Sequence, residues 1–564
     1  MSNQVTVGSN RDQVPKGKSR HYHPASEDPR QYTLLKFYEL NQGAVKMLLD
    51  GREKDNSDLP FLPGPKEHEI IHYQSDPQRS ILLSGRSGTG KTTCLVFRLW
   101  AQHTAYYNSR VKGERLRQLF LTKNDLLCRE VKRSFNNMGL AWAKRTSPAE
   151  GNIEEEEEER PQFFTSSEWF DGLDAALPGQ SFFSKYELQQ RINSRKHNDS
   201  VTKEIEELLS NDNTEVGELG KGVSTTKVLR QEMTYLVFRK LWRKIRSGSD
   251  MECTIVWREI KSFIKGSVPA LQIDRNERSL PQNRFLSLDE YLTIPRKQSR
   301  MDEAQRREVY GIFQAYEKLK AESFYYDECD LIYNIAGRIS SLDRNSIEID
   351  SLFIDEVQDF TQAEIYILVK LCRNPNNLFL AGDTAQSITV GVDFRFTDVR
   401  QIFYNHFGGI EPKLLQLSHN YRSHAGVLRL AACVVELLYK FFGSSLDKLP
   451  PDLGLFSGPK PVIMDVANTQ ELVLMLQGAK RKTSRIEFGA HQVVIVRSEE
   501  AKRSLPEKFD IDKDWVMTVQ ESKGLEFDDV LLYDFFSDSP AEGKRDYHLI
   551  LAHLHVFPNV NLFA

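Results

Sequence analysis

The stretch Gly85-Arg86-Ser87-Gly88-Thr89-Gly90-Lys91-Thr92 constrains the fold of this 564-residue chain more than any other. It fits G-x-x-x-x-G-K-[ST], a loop that wraps phosphate. Ahead of it, Ser80-Ile81-Leu82-Leu83-Ser84 reads as a short buried strand, and behind it Thr93 to Trp100 reads as a helix. Strand, glycine-rich turn and helix in that order give the pattern its mechanism. Glycines let backbone N–H groups close around phosphate oxygens. The helix N-terminus adds positive potential. The phosphate-binding set is Gly85 through Thr93, with Lys91 placed for the β- and γ-phosphates and Thr92 for Mg²⁺. The expected ligand is a nucleoside triphosphate.

Composition sets looser bounds. The length suits about three or four domains. Apolar residues at 40% and charged residues at 27% are ordinary for a globular protein. A net charge of −4 neither marks nor excludes a nucleic-acid partner, because a local groove matters more than the total. Six cysteines without a C-x-x-C pair argue against a zinc site or a disulfide framework and fit a reducing compartment. No apolar run approaches a membrane span, and Met1 to Arg30 lacks a signal-peptide core, so the expected location is nuclear or cytoplasmic.

Along the chain, residues 1–30 read as disordered. Residues 31–145 carry the phosphate loop and a second strand, Gln118-Leu119-Phe120-Leu121-Thr122. Glu154 to Glu159, six consecutive glutamates, read as a solvated break. Residues 146–345 are mainly helical by periodicity, clearest over 228–246 and 302–322. At 351 the strand pattern returns with Ser351-Leu352-Phe353-Ile354, which runs into Asp355-Glu356. Asp355 lies 264 residues after Lys91, far more chain than a compact phosphate-loop core needs. The spacing therefore predicts a helical insertion, with the parallel sheet resuming at 346–405.

Four polar segments stand out, the first two directly after buried-strand patterns. Asp355-Glu356-Val357-Gln358-Asp359 offers a carboxylate for a Mg²⁺ shell and a second to polarise water. Leu378-Phe379-Leu380-Ala381 opens into Gly382-Asp383-Thr384-Ala385-Gln386-Ser387, where Gln386 could sense a γ-phosphate. Asn420-Tyr421-Arg422-Ser423 supplies a permanent planar cation in Arg422. Thr518 to Phe527, containing Glu526, lies between the strands Val493–Val496 and Val530–Tyr533. Each alone is an ordinary polar turn.

Together, GRSGTGKT, FLTKN at 120–124, DEVQDF at 355–360, GDTAQS at 382–387, NYRS at 420–423 and TVQESKGLEF at 518–527 resemble motifs I, Ia, II, III, IV and V of the UvrD/Rep-type superfamily 1 helicases, in order. The wording GRSGTGKTT and the run Val256 to Gly266 are also similar to the helicase-like region of the TPR and ankyrin repeat-containing proteins. The resemblance implies an α/β fold of two RecA-like parallel-sheet lobes, with motifs IV and V in a second lobe at 406–564. It implies ATP and Mg²⁺ between the lobes, single-stranded nucleic acid (DNA ahead of RNA) across their top, and 3′→5′ translocation. By position, Lys91, Thr92 and Asp355 take phosphates and metal. Glu356 is the general base, and Gln386 and Arg422 contact the γ-phosphate. Glu526 lies near the sugar or the lobe interface, and Thr122 and Asn124 on the nucleic-acid track. Residues 110–133 hold eight basic and three acidic side chains, which suits a phosphate track and equally a solvated helix.

The chain also departs from that pattern. No aromatic follows Gln386-Ser387 directly, and Phe394 and Phe396 read equally well as core. Only 98 residues separate Arg422 from Gln520, too few for a large accessory insertion. No arginine occurs after Arg545, so motif VI and its arginine finger are missing and the second lobe reads as incomplete. Two functions stand side by side: an ATP-driven helicase or translocase, and an ATP-binding regulatory or scaffold module without unwinding. A GTP-specific switch is the remotest reading, because the chain shows no N-K-x-D-type base-reading loop and such a switch has no place for the later motifs.

Overall fold

The strands of the phosphate-loop region are continuous apolar runs because both faces of their sheet are covered. In the computed structural model β1 (Ile81–Gly85), β2 (Gln118–Thr122), β3 (Gln162–Thr165), β4 (Ser351–Ile354), β5 (Leu378–Gly382) and β6 (Lys413–Leu417) form one sheet in the order β3-β2-β4-β5-β1-β6. Every pair in it is parallel. The residues described are 64–109, 116–146, 160–196, 230–246, 248–271, 285–296, 298–340, 349–387, 389–442, 447–461, 492–509, 516–519, 521–523, 527 and 529–535. The disordered stretch expected at 1–30, residues 31–63, Gln520, Glu526 and residues 536–564 lie outside them.

Alternation along each strand sends side chains to two cores. Leu82, Leu121, Leu352, Ile354 and Leu380 face one, and Ile81, Leu83, Phe120, Phe353 and Phe379 the other. The second core is closed by α1 (Pro65–Ile71), α2 (Lys91–Ser109) and α3 (Asp125–Thr146) through Ile70, Leu95, Leu99, Val131 and Phe135. The first is closed by α4 (Ser166–Ala176) and by helices that follow later in the chain.

Between β3 and β4 run α5 (Lys185–Lys196), α6 (Tyr235–Ile245), α7 (Cys253–Arg258), α8 (Leu288–Thr293), α9 (Glu303–Glu322) and α10 (Glu328–Ser340). A third core, with Phe238, Trp257, Ile264, Tyr291, Phe313 and Tyr316 fully or nearly buried, belongs to this stretch. Within it Lys265 and Lys320 lie among Glu317, Asp327 and Asp330, so ammonium groups fill the focus of three carboxylates. After β4 come α11 (Gln362–Lys370) and, after β5, α12 (Phe396–His406). Phe394 and Phe396 pack edge to face at 5.3 Å in the sheet's core.

Two boundaries differ from the sequence expectation. The span 146–345 contributes β3 to the sheet edge, where Leu119–Thr122 pair with Gln162–Thr165. And β6, expected in a second lobe from 406, pairs with β1 from Ile81↔Lys413 to Gly85↔Leu417. Among the described residues β1 is its one sheet neighbour, so the first sheet reaches past 405. The larger compact unit comprises 39–422 and 434–453, and the other comprises 1–38, 423–433 and 454–564. In the latter, β7 (Gln492–Val496) lies between β8 (Val516–Thr518) and β9 (Asp529–Leu532), all parallel, around Val494, Val496, Leu505 and Val516.

Candidate nucleotide site

Register brings three loops to one edge. Ser84 is level with Gly382, and Ile354 with Leu380, so β4, β5 and β1 release their chains side by side at their carboxyl ends. Ligands of open parallel sheets bind at that edge.

The loop after β1 is shaped for close backbone approach. Gly88 and Gly90 have φ of 78° and 84°, where side chains are disfavoured. A Cβ on Gly88 would sit 2.6 Å from Arg422 Cβ and 2.7 Å from Asn420 Oδ1. The strand end at 420–422 closes over the loop. Asn420 Nδ2 donates to Ser87 O at 2.5 Å, Tyr421 N to Gly88 O at 2.9 Å, and Arg422 Nη1 to Ser87 Oγ at 2.7 Å. Lys91 Nζ donates to Arg86 O at 3.0 Å, within the loop itself.

Thr92 Oγ1 donates to Asp355 Oδ2 at 2.6 Å, which joins the first turn of α2 to the end of β4. Asp355 is 1% exposed. Burial, with the neighbouring Glu356 charge, pushes its carboxyl up to about 6 against the Thr92 hydrogen bond and Lys91. A hydroxyl and a buried carboxylate are the hard oxygen donors that Mg²⁺ takes, so this pair fits that ion and the glycine cradle fits phosphate.

Glu356 has φ 54°, a left-handed conformation that costs a non-glycine residue about 1–3 kcal/mol. Its amide donates to Asp355 Oδ1 at 2.9 Å, and Gln358 Nε2 donates to its carboxylate. Gln358 is fully buried and accepts from Asp383 N at 3.0 Å, linking the ends of β4 and β5. Gln386 Nε2 donates to Asp383 Oδ2 at 2.7 Å. Asp383 Oδ1 also pairs with Arg86 Nη1 at 2.6 Å.

The site thus gathers Gly85–Thr93, Asp355, Glu356, Gln386 and Arg422. Thr122 and Asn124 are placed differently. Thr122 is fully buried, and its hydroxyl accepts from Asn124 N at 3.4 Å. Asn124 Oδ1 accepts from Leu127 N at 3.1 Å at the start of α3. Between them, Lys123 pairs with Glu328 at 2.9 Å and Glu364 at 2.7 Å. Burial opposes that charge, but the two carboxylates outweigh it and hold the ammonium above its ordinary range.

Two features went unread in the sequence. Glu67, on α1, is 3% exposed and accepts from Tyr421 Oη at 2.9 Å beside Gly90. Arg98 on α2 fixes that helix by donating to the carbonyls of Ile71 and Tyr73. The second feature is a π-helical turn, Glu259–Ile264, within the run Val256–Gly266. Trp257 Nε1 donates to Val390 O at 3.0 Å, and Ser262 Oγ bridges Gly391 O and Asp393 N. This stretch thereby grips the loop that follows Gln386.

Residues 175–404 match the UvrD/REP helicase N-terminal domain family. Over that span the chain is similar to the UvrD/REP-type helicases. That match takes in Asp355, Glu356 and Gln386, and the parallel sheet with its phosphate loop fits the RecA-like P-loop fold that the match implies. The chain is also 34% identical over 634 aligned positions to TPR and ankyrin repeat-containing protein 1 of Homo sapiens, covering 92% of this chain and 21% of that protein. The chain thus spans about a fifth of that relative's length. No helix among its described residues is long and apolar enough to cross a membrane.

Proposed function

We propose that the chain binds ATP with Mg²⁺ and hydrolyses it to drive movement on single-stranded nucleic acid, DNA ahead of RNA. The observation that carries the reading is the 2.6 Å contact between Thr92 and Asp355, groups 263 residues apart, beside Lys91. Backbone N–H groups of residues 85–93 and the Lys91 ammonium hold the phosphates. Thr92 and Asp355 hold Mg²⁺, which supplies charge neutralisation when bound. Glu356 accepts the proton of the attacking water. Arg422 and Gln386 lie in the loops nearest the phosphate cradle and are the candidates for γ-phosphate contact. Glu526 remains the candidate for the sugar.

A single-turnover ATPase assay, with and without single-stranded DNA or RNA, tests this. Hydrolysis accelerated by single strands is the expected result. ATP binding without hydrolysis on either strand overturns the motor reading in favour of an ATP-binding regulatory module. Absence of ATP binding overturns both.

A further inference from the structure

Arg86 occupies the second position of the phosphate loop, and the structure gives it two sets of contacts. Its carbonyl accepts from Lys91 Nζ at 3.0 Å and from Thr89 Oγ1 at 2.8 Å. Its guanidinium, 12% exposed, donates to Asp383 Oδ1 at 2.6 Å and to Tyr439 Oη at 2.5 Å. Tyr439 Oη in turn donates to Asp447 O at 2.9 Å, which anchors the far side of the arginine.

Asp383 is fully buried, so water cannot replace a partner that it loses. Its two oxygens are shared among three donors. Oδ1 takes Arg86 and the amide of Ala385 at 3.0 Å, while Oδ2 takes Gln386 Nε2 at 2.7 Å. The position of the Gln386 amide is therefore set through the carboxylate that Arg86 holds.

We propose that Arg86 is a positioning residue that transmits occupancy of the phosphate loop to the loop bearing Gln386, through Asp383. This rests on the ATP reading above. Phosphate oxygens compete with the Arg86 carbonyl for Lys91, because an anion is the stronger acceptor for an ammonium. Loss of Lys91 leaves that carbonyl to Thr89 alone, so the peptide at 86 shifts toward Thr89 and its own guanidinium moves with it. Asp383 follows, since a buried carboxylate left without its cation is costly. The Ala385 amide and the Gln386 side chain, both bonded to that carboxylate, follow in turn. Planarity matters here: a guanidinium serves Asp383 and Tyr439 at once, which a lysine ammonium does with poorer geometry.

Hydrogen–deuterium exchange on the full chain, with and without Mg²⁺ and a slowly hydrolysed ATP analogue, tests the relay without relying on turnover. In the parent chain the analogue should slow exchange in two segments, 85–92 and 383–387. In Arg86→Ala, protection at 85–92 should persist while the change at 383–387 shrinks at least ~5-fold. Tyr439→Phe, which removes one partner and leaves the arginine in place, should give an intermediate response. Asp383→Asn should match Arg86→Ala, and the double substitution should add nothing further. A response at 383–387 that survives Arg86→Ala or Tyr439→Phe at full size overturns the relay alone. Absence of protection at both segments in the parent chain overturns the nucleotide reading and the relay with it.

Discussion

Tyr421 Oη donates to Glu67 Oε1 at 2.9 Å, while Glu67 Oε2, equally buried, has no hydrogen-bond partner among the described residues. The tyrosine hydroxyl is thus the main polar support of a carboxylate that is 3% exposed. Tyr421→Phe keeps the ring and removes that support. It should lower stability by about 1–3 kcal/mol, the cost of an unsatisfied buried polar group. Adding Glu67→Gln should recover much of the loss, because a neutral amide is cheaper to bury than a charge. Urea denaturation of the three variants checks this, and equal midpoints for parent and Tyr421→Phe would count against it.

Lys91→Ala removes the ammonium facing the phosphate cradle. Affinity for a fluorescent ATP analogue should drop at least ~100-fold, as expected for loss of a charge-assisted contact in a partly dry site. Unchanged affinity would sink the phosphate-loop assignment.

Glu356→Gln keeps shape and left-handed backbone but loses the proton acceptor. Nucleotide affinity should stay near the parent value while single-turnover hydrolysis falls by ~10²–10⁴. Parent-rate hydrolysis would remove Glu356 as the base.

Asp355 makes a pH prediction with a definite sign. Burial and the neighbouring Glu356 charge push its carboxyl up to about 6 in the fold, from an ordinary 3.8. A raised folded value contributes stability that is present below pH 3.8 and lost as pH rises through about 6. Asp355→Asn should therefore stabilise the chain at pH 7.5 by up to about 3 kcal/mol and have little effect at pH 3.5. Mg²⁺ needs the carboxylate, so the parent's apparent Mg²⁺ affinity should fall about tenfold per pH unit below 6. Calorimetry across pH 3.5–8 reads both effects, and flat Mg²⁺ affinity between pH 5 and 8 would refute the second.

Gly391 has φ 94°, and a Cβ there would lie 2.5 Å from Trp257 Cδ1. Gly391→Ala should cost about 2–4 kcal/mol from backbone strain and overpacking together. Thermal unfolding measures the loss. A shift within error of the parent would mean that the Trp257 grip on this loop is loose.

The sequence made the strand–loop–helix at 80–100 readable because each part carries a local signal: an apolar run, fixed glycines, then an apolar-rich helix. The strands at 351–354 and 378–382 were readable for the same reason. β3 was hidden because Gln162-Phe163-Phe164-Thr165 is a short edge strand just after a glutamate run. Lys413–Leu417 went unread as a strand, since five residues with a lysine and a glutamine carry little local signal and only long-range pairing with β1 fixes them. Glu67 sits in a seven-residue helix with no local mark of function. Its partner is 354 positions away. Trp257 likewise meets Val390 across 133 positions, so the run Val256–Gly266 stood out without showing what it holds.

The order of strands in the sheet has a consequence for synthesis. β1 is made first, yet its two neighbours, β5 and β6, begin at Leu378 and Lys413. At about 5–20 residues per second, the apolar edges of Leu82 and Leu83 wait roughly 15–60 s for partners on the ribosome. During that time the segment is an open template for any other strand. A nascent chain stalled before Gly382 has neither neighbour for its phosphate-loop strand, and one stalled before Leu417 has at most one. Truncations should therefore pass from aggregating to soluble near Arg422, and chaperone dependence should be greatest for chains that stop inside the helical stretch.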